Sequence, residues 1–256
     1  MMKIAVRIPN WIGDAVLSTP FVSAIRQVFP DAEIFLIMRD AVRDVYEGNP
    51  WSDRTIIIND RKDGPIPTGL NLQRYRFDHY FNLPGSFSSG LISLLSGAEE
   101  RHGFTSEGGS FFFQDRIKSS GLKGLHRARR YLELLRHFPV KKQTLEARVF
   151  LEQKEIQRAK SLLKKLKLKR IVIGMNPNCS AIARRWPREK FAELADRLLE
   201  KVNNSVIFFG SPGETEYVQA VAGMMKHQAI DLSGKINLRE YTAILSLIRI
   251  FITNDS

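Results

Sequence analysis

Residues 10–20 read NWIGDAVLSTP, directly behind the strand-like run KIAVRIP at 3–9. An apolar run that ends in a polar loop and restarts with helical periodicity marks the first β-α step of an α/β domain. Gly13 and Asp14 stand at the mouth of the helix, where Ser or Asn would meet a purely structural need. Gly13 is expected to adopt a backbone conformation closed to other residues and to let a ligand approach the main chain. Asp14 has two readings. As a carboxylate in the first helical turn it complements the helix dipole, worth ~0.3–1 kcal/mol. Alternatively it faces a ligand, because the first strand of a doubly wound sheet delivers its loop to the crevice. A carboxylate placed there can take a proton from a hydroxyl nucleophile.

Outward from this stretch the alternation repeats. The pattern predicts a helix over 13–29, a strand over 32–38, a short helix over 41–48, strands over 55–59 and 78–83, and helices over 86–96 and 125–138. It then predicts strands at 169–177, 204–212, 229–232 and 249–256, with helices at 186–202, 213–226 and 238–248. Strands alternating with helices imply parallel sheets. The expected architecture is therefore α/β, with two Rossmann-like domains, 1–150 and 151–256. The sequence stops at Asn254-Asp255-Ser256, at the carboxyl end of a strand, so a further loop and helix are expected and the second domain is read as incomplete.

The 256 residues carry a formal net charge of +12, which points to an anionic partner. The basic residues concentrate at 116–131 and 154–170. In the second cluster Ile156, Leu162, Leu163 and Leu166 fit one apolar stripe, so its lysines read as a solvated helix face. A single cysteine, Cys179, precludes an internal disulfide and disfavours thiolate ligation of zinc. The five histidines show no metal-ligand spacing, so no metal site is expected. No G-x-G, no G-x-x-x-x-G-K-[ST], no G-x-S-x-G and no D-x-D occurs, which removes the common dinucleotide, triphosphate and hydrolase uses of the fold. No nucleic-acid-binding motif is present either. The amino terminus runs straight into a strand pattern, so no signal peptide is expected, and no apolar run is long enough to span a membrane.

The segment MNPNCSAIARRWPREKF (175–191) runs from a strand, through a polar loop with Asn178 and Ser180, to Arg184-Arg185-Trp186-Pro187 at a helix start. Two guanidiniums, a hydroxyl and helix N-terminal N–H groups suit a diphosphate. The other reading is a solvated arginine pair with Trp186 as a packing anchor. FFGSPGE (208–214), LSGKINL (232–238) and TNDS (253–256) are turns on the same expected side of the sheet.

Taken together, NWIGDAVLSTP, the N-P…A-R-R-W-P segment, FGSP, the LSGK turn and the terminal TNDS resemble the ADP-heptose:lipopolysaccharide heptosyltransferases of glycosyltransferase family 9. The opening motif is most similar to the heptosyltransferase II branch. The resemblance implies a GT-B type fold, with an acceptor-binding first domain and an ADP-sugar-binding second domain. It implies inverting, metal-independent transfer of heptose from ADP-heptose, a substrate rather than a cofactor, to a phosphorylated lipid A–Kdo–heptose acceptor. Carried over by position, Asp14 becomes the general base. Asn178, Ser180, Arg184, Arg185, Glu214, Asp255 and Ser256 fall on the donor side, the last two as the start of a D-[ST]-G-x-x-H motif. Gly13, His126, Arg127 and Arg130 fall on the acceptor side, with His126 equally readable as a packing residue. The expected location is cytoplasmic, peripheral to the anionic surface of the inner membrane, with no nucleic-acid partner. Two alternatives stand beside this reading: another nucleotide-sugar enzyme of the same architecture, or a non-catalytic binder of an anionic membrane or nucleic acid.

Overall fold

KIAVR becomes β1 (Lys3–Arg7), the third of six strands in an all-parallel sheet ordered β3-β2-β1-β4-β5-β6. In the computed structural model, which describes residues 1–105, 110–141, 144–179, 181–201 and 204–254, the chain divides into two compact units, Met1–Phe150 and Leu151–Ser256.

The first unit runs β1, α1 (Ile12–Leu17), α2 (Thr19–Val28), β2 (Glu33–Met38), α3 (Arg43–Tyr46), β3 (Arg54–Ile57), α4 (Pro65–Leu72), β4 (His79–Asn82), α5 (Phe87–Leu95), β5 (Glu100–Thr105), β6 (Asp115–Lys118) and α6 (Arg127–Leu132). Helices cover both faces of a parallel sheet, so its central strands are apolar on both sides. Ile4 and Val6 enter one core with Ile34, Leu36 and Phe81, while Ala5 enters the other with Phe35, Ile37 and Tyr80. Full burial of each such large side chain contributes about 1.5–3 kcal/mol.

The second unit runs α7 (Gln153–Lys165), β7 (Ile171–Asn176), α8 (Arg188–Leu199), β8 (Asn204–Phe208), α9 (Thr215–Ala222), β9 (Ile230–Asp231), α10 (Leu238–Leu245) and β10 (Ile250–Thr253). Its parallel sheet has the order β10-β7-β8-β9. Ile173, Met175, Val206 and Phe208 pack under α8 and α9, and Ile207 and Phe209 pack towards α7 and α10. Gly174 lets β7 pass beneath three side chains, since a Cβ there would meet Ile248, Phe251 and Phe209 at 2.6–2.9 Å. On α7 the leucines 162, 163 and 166 pack inwards while Lys160, Lys164 and Lys165 are exposed, as the sequence pattern implied.

Three local expectations change. The helix expected over 13–29 breaks at Ser18, which closes α1 and opens α2. Pro20 lacks an N–H and its ring clashes with the carbonyl four residues back, so one continuous helix cannot form. The helix expected over 125–138 is α6 followed by a 3-10 turn at Glu133–Leu135. Third, α4, β5 and β6 have no counterpart in the sequence pattern. ERHGFT and DRIK carry too many polar residues to read as strands, and β6 lies at a sheet edge, where charge discourages pairing with other chains.

Candidate active site

In each sheet the order reverses at one point: between β1 and β4 in the first unit, and between β7 and β10 in the second. The loops leaving the carboxyl ends of those two strands diverge, and the crevice they leave is where open α/β sheets bind ligands.

The first crevice is braced from below. Arg7, the last residue of β1, is fully buried. Its Nη1 donates to Ile8 O at 2.6 Å, and its Nη2 donates to Asn10 Oδ1 at 2.9 Å and approaches Asp60 Oδ2 at 3.5 Å. Arg39 grips the same carboxylate through Nε at 2.6 Å and Nη2 at 3.0 Å. Burial lowers the Arg7 pKa against the partial support of its neighbours. Burial also pushes Asp60 upwards, but the Arg39 hydrogen bond and the two arginine charges outweigh it and hold Asp60 below the ordinary carboxylate range. The folded chain therefore binds this proton less readily than the unfolded chain, whose Asp titrates near ~3.9. The resulting stability is fully present above that value and is lost as the pH falls through the folded pKa. Urea midpoints measured across the acid range should decline less steeply for Asp60→Asn than for the parent chain. Parallel acid limbs would remove Asp60 from that role.

Above this brace a cavity of about 400 Å³ opens. Asn10 and Trp11 from the loop after β1, Pro84 and Ser86 from the loop after β4, and Asp14, Arg127, Arg130 and Tyr131 from α1 and α6 line it. Asp14 sits in the first turn of α1, and its Oδ1 is 3.0 Å from Arg127 Nε. The two side chains are 24% and 48% exposed, so the pair adds at most ~1 kcal/mol to stability, and its interest lies in where it holds the carboxylate. Tyr131 is buried beneath it. Burial and the Asp14 charge push its phenol up to about 12 against the Arg127 hydrogen bond, so it stays a neutral hydroxyl. The arrangement gathers a carboxylate, two guanidiniums and a phenol at one concave surface, a set able to orient a hydroxyl beside an anionic group and accept its proton.

Gly13 departs from expectation. It lies inside α1 and is absent from the residues of positive φ. A Cβ there would meet nothing within 4 Å, so the glycine leaves open space over the helix start rather than supplying a special conformation. His126 is exposed at the N-cap of α6 and lies outside the cavity lining that takes in Arg127 and Arg130.

The second crevice is organised by Asn254, just past β10. Its Nδ2 donates to Pro177 O at 2.8 Å and its Oδ1 accepts from Trp186 N at 2.9 Å, tying both ends of the loop after β7. Within that loop Asn178 is buried and turns inwards, its Oδ1 accepting from Cys179 N at 2.9 Å. Arg184 is exposed at the end of a 3-10 turn, Ile182–Arg184. Arg185 Nε donates to Cys179 O at 2.6 Å, and its guanidinium lies 4.9 Å from the centre of the Tyr217 ring. Arg188 lies 5.1 Å from the same ring. Trp186 meets Phe191 edge-on at 5.2 Å yet stays 42% exposed, so it is partly the packing anchor that the sequence suggested. Among the described residues no side chain caps the N-terminus of α8, so its first N–H groups have no side-chain partner there. Glu214 closes a capping box, accepting from Ser211 N at 2.6 Å. Ser180, Asp255 and Ser256 lie outside the described residues.

The sequence named Asp14, Arg127 and Arg130, which the structure brings to one cavity, and Asn178, Arg184 and Arg185, which lie in the loop after β7. It missed the Arg7–Asp60–Arg39 brace, whose one signal was an arginine inside an apolar strand. It also missed Tyr217 with Arg188, because an aromatic platform 29 residues away along the chain leaves no local pattern.

A family model described as Glycosyltransferase family 9 (heptosyltransferase) matches residues 68–256. Lipooligosaccharide heptosyltransferase 2 of Campylobacter jejuni is 25% identical over 263 residues, an alignment covering 100% of this chain and 75% of that protein. Lipopolysaccharide heptosyltransferase 2 of Escherichia coli K12 is 24% identical, covering 100% and 78%. Among solved structures, a glycosyl transferase family 9 protein from Veillonella parvula superposes with a TM-score of 0.88 at 24% identity, covering 100% of this chain and 75% of that one. An E. coli ADP-heptose lps heptosyltransferase II superposes at 0.82 with 23% identity, covering 100% and 80%. These superpositions show the two-domain α/β fold. No helix among the described residues is long and apolar enough to cross a membrane.

Proposed function

The chain belongs to glycosyltransferase family 9, and from that premise we propose that it moves a heptose from ADP-heptose to an inner-core lipopolysaccharide acceptor, with inversion and without a metal ion. The observation that carries this reading is the position of Asp14, which lines the crevice at the reversal point of the first sheet with one carboxylate oxygen engaged by Arg127. The first unit then holds the acceptor and the second the donor.

The acceptor hydroxyl attacks the anomeric carbon of the heptose from the face opposite the diphosphate. Asp14 receives the hydroxyl proton as the new C–O bond forms. The bond from the anomeric carbon to the β-phosphate oxygen breaks, and its electron pair leaves with ADP. Arg184, Arg185 and the open N–H groups of α8 meet that growing negative charge. Asn178 and Asn254 hold the loop in shape for this task, and Ser180, Asp255 and Ser256 are assigned to the phosphates and sugar. Glu214 is assigned to the nucleoside. Arg127 and Arg130, with Tyr131 beneath them, orient a phosphorylated acceptor. The net charge of +12 suits residence at an anionic inner-membrane surface on the cytoplasmic side.

Calorimetric titration with ADP, in EDTA and with GDP, UDP and NAD as controls, tests the donor assignment. Selective ADP binding is the expected result. A preference for UDP, or salt-sensitive RNA binding in place of nucleotide binding, overturns it. In the same assay Arg184→Ala should weaken ADP about 10- to 100-fold, the scale of one lost charge-assisted hydrogen bond. Adenosine, which lacks the diphosphate, should bind both proteins alike. Equal ADP affinity in parent and variant would remove Arg184 from the phosphate site.

A further inference from the structure

The first sheet carries a second cluster of titratable groups, at the end opposite the Asp14 cavity. His79, Glu100 and Asp115 are the first residues of β4, β5 and β6. Those strands are parallel neighbours, so their amino ends share one end of the sheet. His79 is paired in register with Glu100, and His102 is paired with Asp115. Glu100 and His102 are two residues apart on β5 and therefore point to the same face. The pairing register brings together four side chains spread over 37 positions of sequence.

The resulting geometry is a small triangle. His79 Nδ1 lies 3.1 Å from His102 Nε2 and 3.3 Å from Glu100 Oε2, and His102 Nε2 lies 3.7 Å from that same oxygen. Tetrahedral zinc binds nitrogen and carboxylate oxygen at about 2.0–2.2 Å, which sets neighbouring donor atoms roughly 3.3–3.5 Å apart. The three edges bracket that spacing. His102 Nδ1 is 3.2 Å from Asp115 Oδ2, and Asp115 is in turn paired with Arg136. A carboxylate on the far ring nitrogen is the usual outer partner of a metal-bound histidine, because it fixes the tautomer that leaves the other nitrogen free to ligate.

The surroundings hold the rings in place. His102 stacks on Phe81 at 4.4 Å and meets Phe138 at 5.6 Å, while Phe29 lies 5.3 Å from His79. His102 is buried, and the Glu100 side chain is 60% exposed, which gives an ion a path from solvent. Aromatic packing accounts for the burial of the histidines. It does not account for a carboxylate oxygen and two ring nitrogens converging on one point, where in the absence of a cation a single proton between the rings is all that separates their lone pairs.

We propose that His79 Nδ1, His102 Nε2 and the Glu100 carboxylate form a binding site for a divalent transition cation of the zinc class, with Asp115 orienting His102 and water in the fourth position. Imidazole and carboxylate donors in a tetrahedral arrangement favour zinc over magnesium or calcium, which demand more oxygen ligands. None of the three ligands lines the Asp14 cavity, so the ion clasps β4 to β5 and takes no part in heptose transfer.

The full chain, stripped with EDTA and dialysed, is titrated with zinc chloride by calorimetry and with cobalt(II) by visible absorption. One equivalent of zinc should bind, raise the melting temperature, and displace cobalt from a complex with the intense d–d bands of four-coordinate geometry. Glu100→Gln and His79→Gln should each weaken binding at least about 10-fold, and Asp115→Asn should weaken it about 10- to 100-fold, the effect of losing an outer partner. Because the Glu100 side chain is largely exposed, Glu100→Gln should melt like the parent chain in EDTA, which separates ligand loss from misfolding. Absence of saturable one-to-one binding overturns the proposal, as does unchanged affinity in both Glu100→Gln and His79→Gln. Weak d–d bands of six-coordinate cobalt, or a sulfur charge-transfer band from Cys179, would also overturn it. ADP titration in EDTA bears on the transferase reading alone, so the two can fail independently.

Discussion

Replacing Asp14 by Asn should lower the rate of heptose transfer by about 10²–10⁴-fold, the range expected when a positioned general base is removed. ADP affinity should stay within a few-fold of the parent value. The two halves of this result test different things. The rate loss follows from the proposed role of the carboxylate, which lines the cavity with Oδ1 engaged by Arg127. Asn has the same shape but cannot take up a proton at neutral pH. Unchanged ADP affinity follows from assigning donor and acceptor to different units. Full activity in Asp14→Asn would return the residue to its simpler role of complementing the helix dipole, and collapse of ADP binding would contradict the role of base.

Replacing Arg7 by Met should destabilise the chain by about 3–5 kcal/mol, the usual consequence of deleting one member of a buried charged network. The guanidinium is fully buried and serves Ile8 O, Asn10 Oδ1 and Asp60 at once. Methionine fills much of the volume, so the loss reports on the polar contacts rather than on a cavity. Asp60 would lose the Arg7 charge while keeping its hydrogen bonds from Arg39, and Ile8 O and Asn10 Oδ1 would lose the Arg7 donor. The chevron or urea midpoint gives the number. A double variant, Arg7→Met with Asp60→Asn, measures the coupling: because the two residues share one network, its cost should fall short of the sum of the two single costs. A cost below about 1 kcal/mol for Arg7→Met would mean that the brace is dispensable and that the loop carrying Asn10 is held from elsewhere.

What was legible in the sequence, and what was not, follows from how far each feature depends on distant residues. The central strands β1, β2, β7 and β8 announce themselves because burial on both faces demands unbroken apolar runs. Asp14 was legible because the loop after the first strand of a doubly wound sheet has only one place to go. The split at Ser18 could have been read from Pro20. In contrast, β5 reads as a polar segment because Glu100 and His102 are spent on a cluster completed by His79 and Asp115, and no spacing rule within one strand contains all four. The stacking of Arg185 and Arg188 about Tyr217 was invisible for the same reason, since the ring arrives from α9.

Asn254 has a consequence for how the second unit comes into being. The amide that joins Pro177 to Trp186 is contributed 77 positions after the first and 68 after the second. A nascent chain that has emerged as far as β8 already contains every arginine of the loop after β7 but not the side chain that gathers its ends. Closing a segment of that length must be paid in chain entropy before any contact repays it, and non-local closures of this kind fold slowly. The crevice after β7 is thus the part of its unit expected to mature last. β7 and β8 can pair before Asn254 arrives, and Asn254 can join the ends of the loop only once β10 docks beside β7.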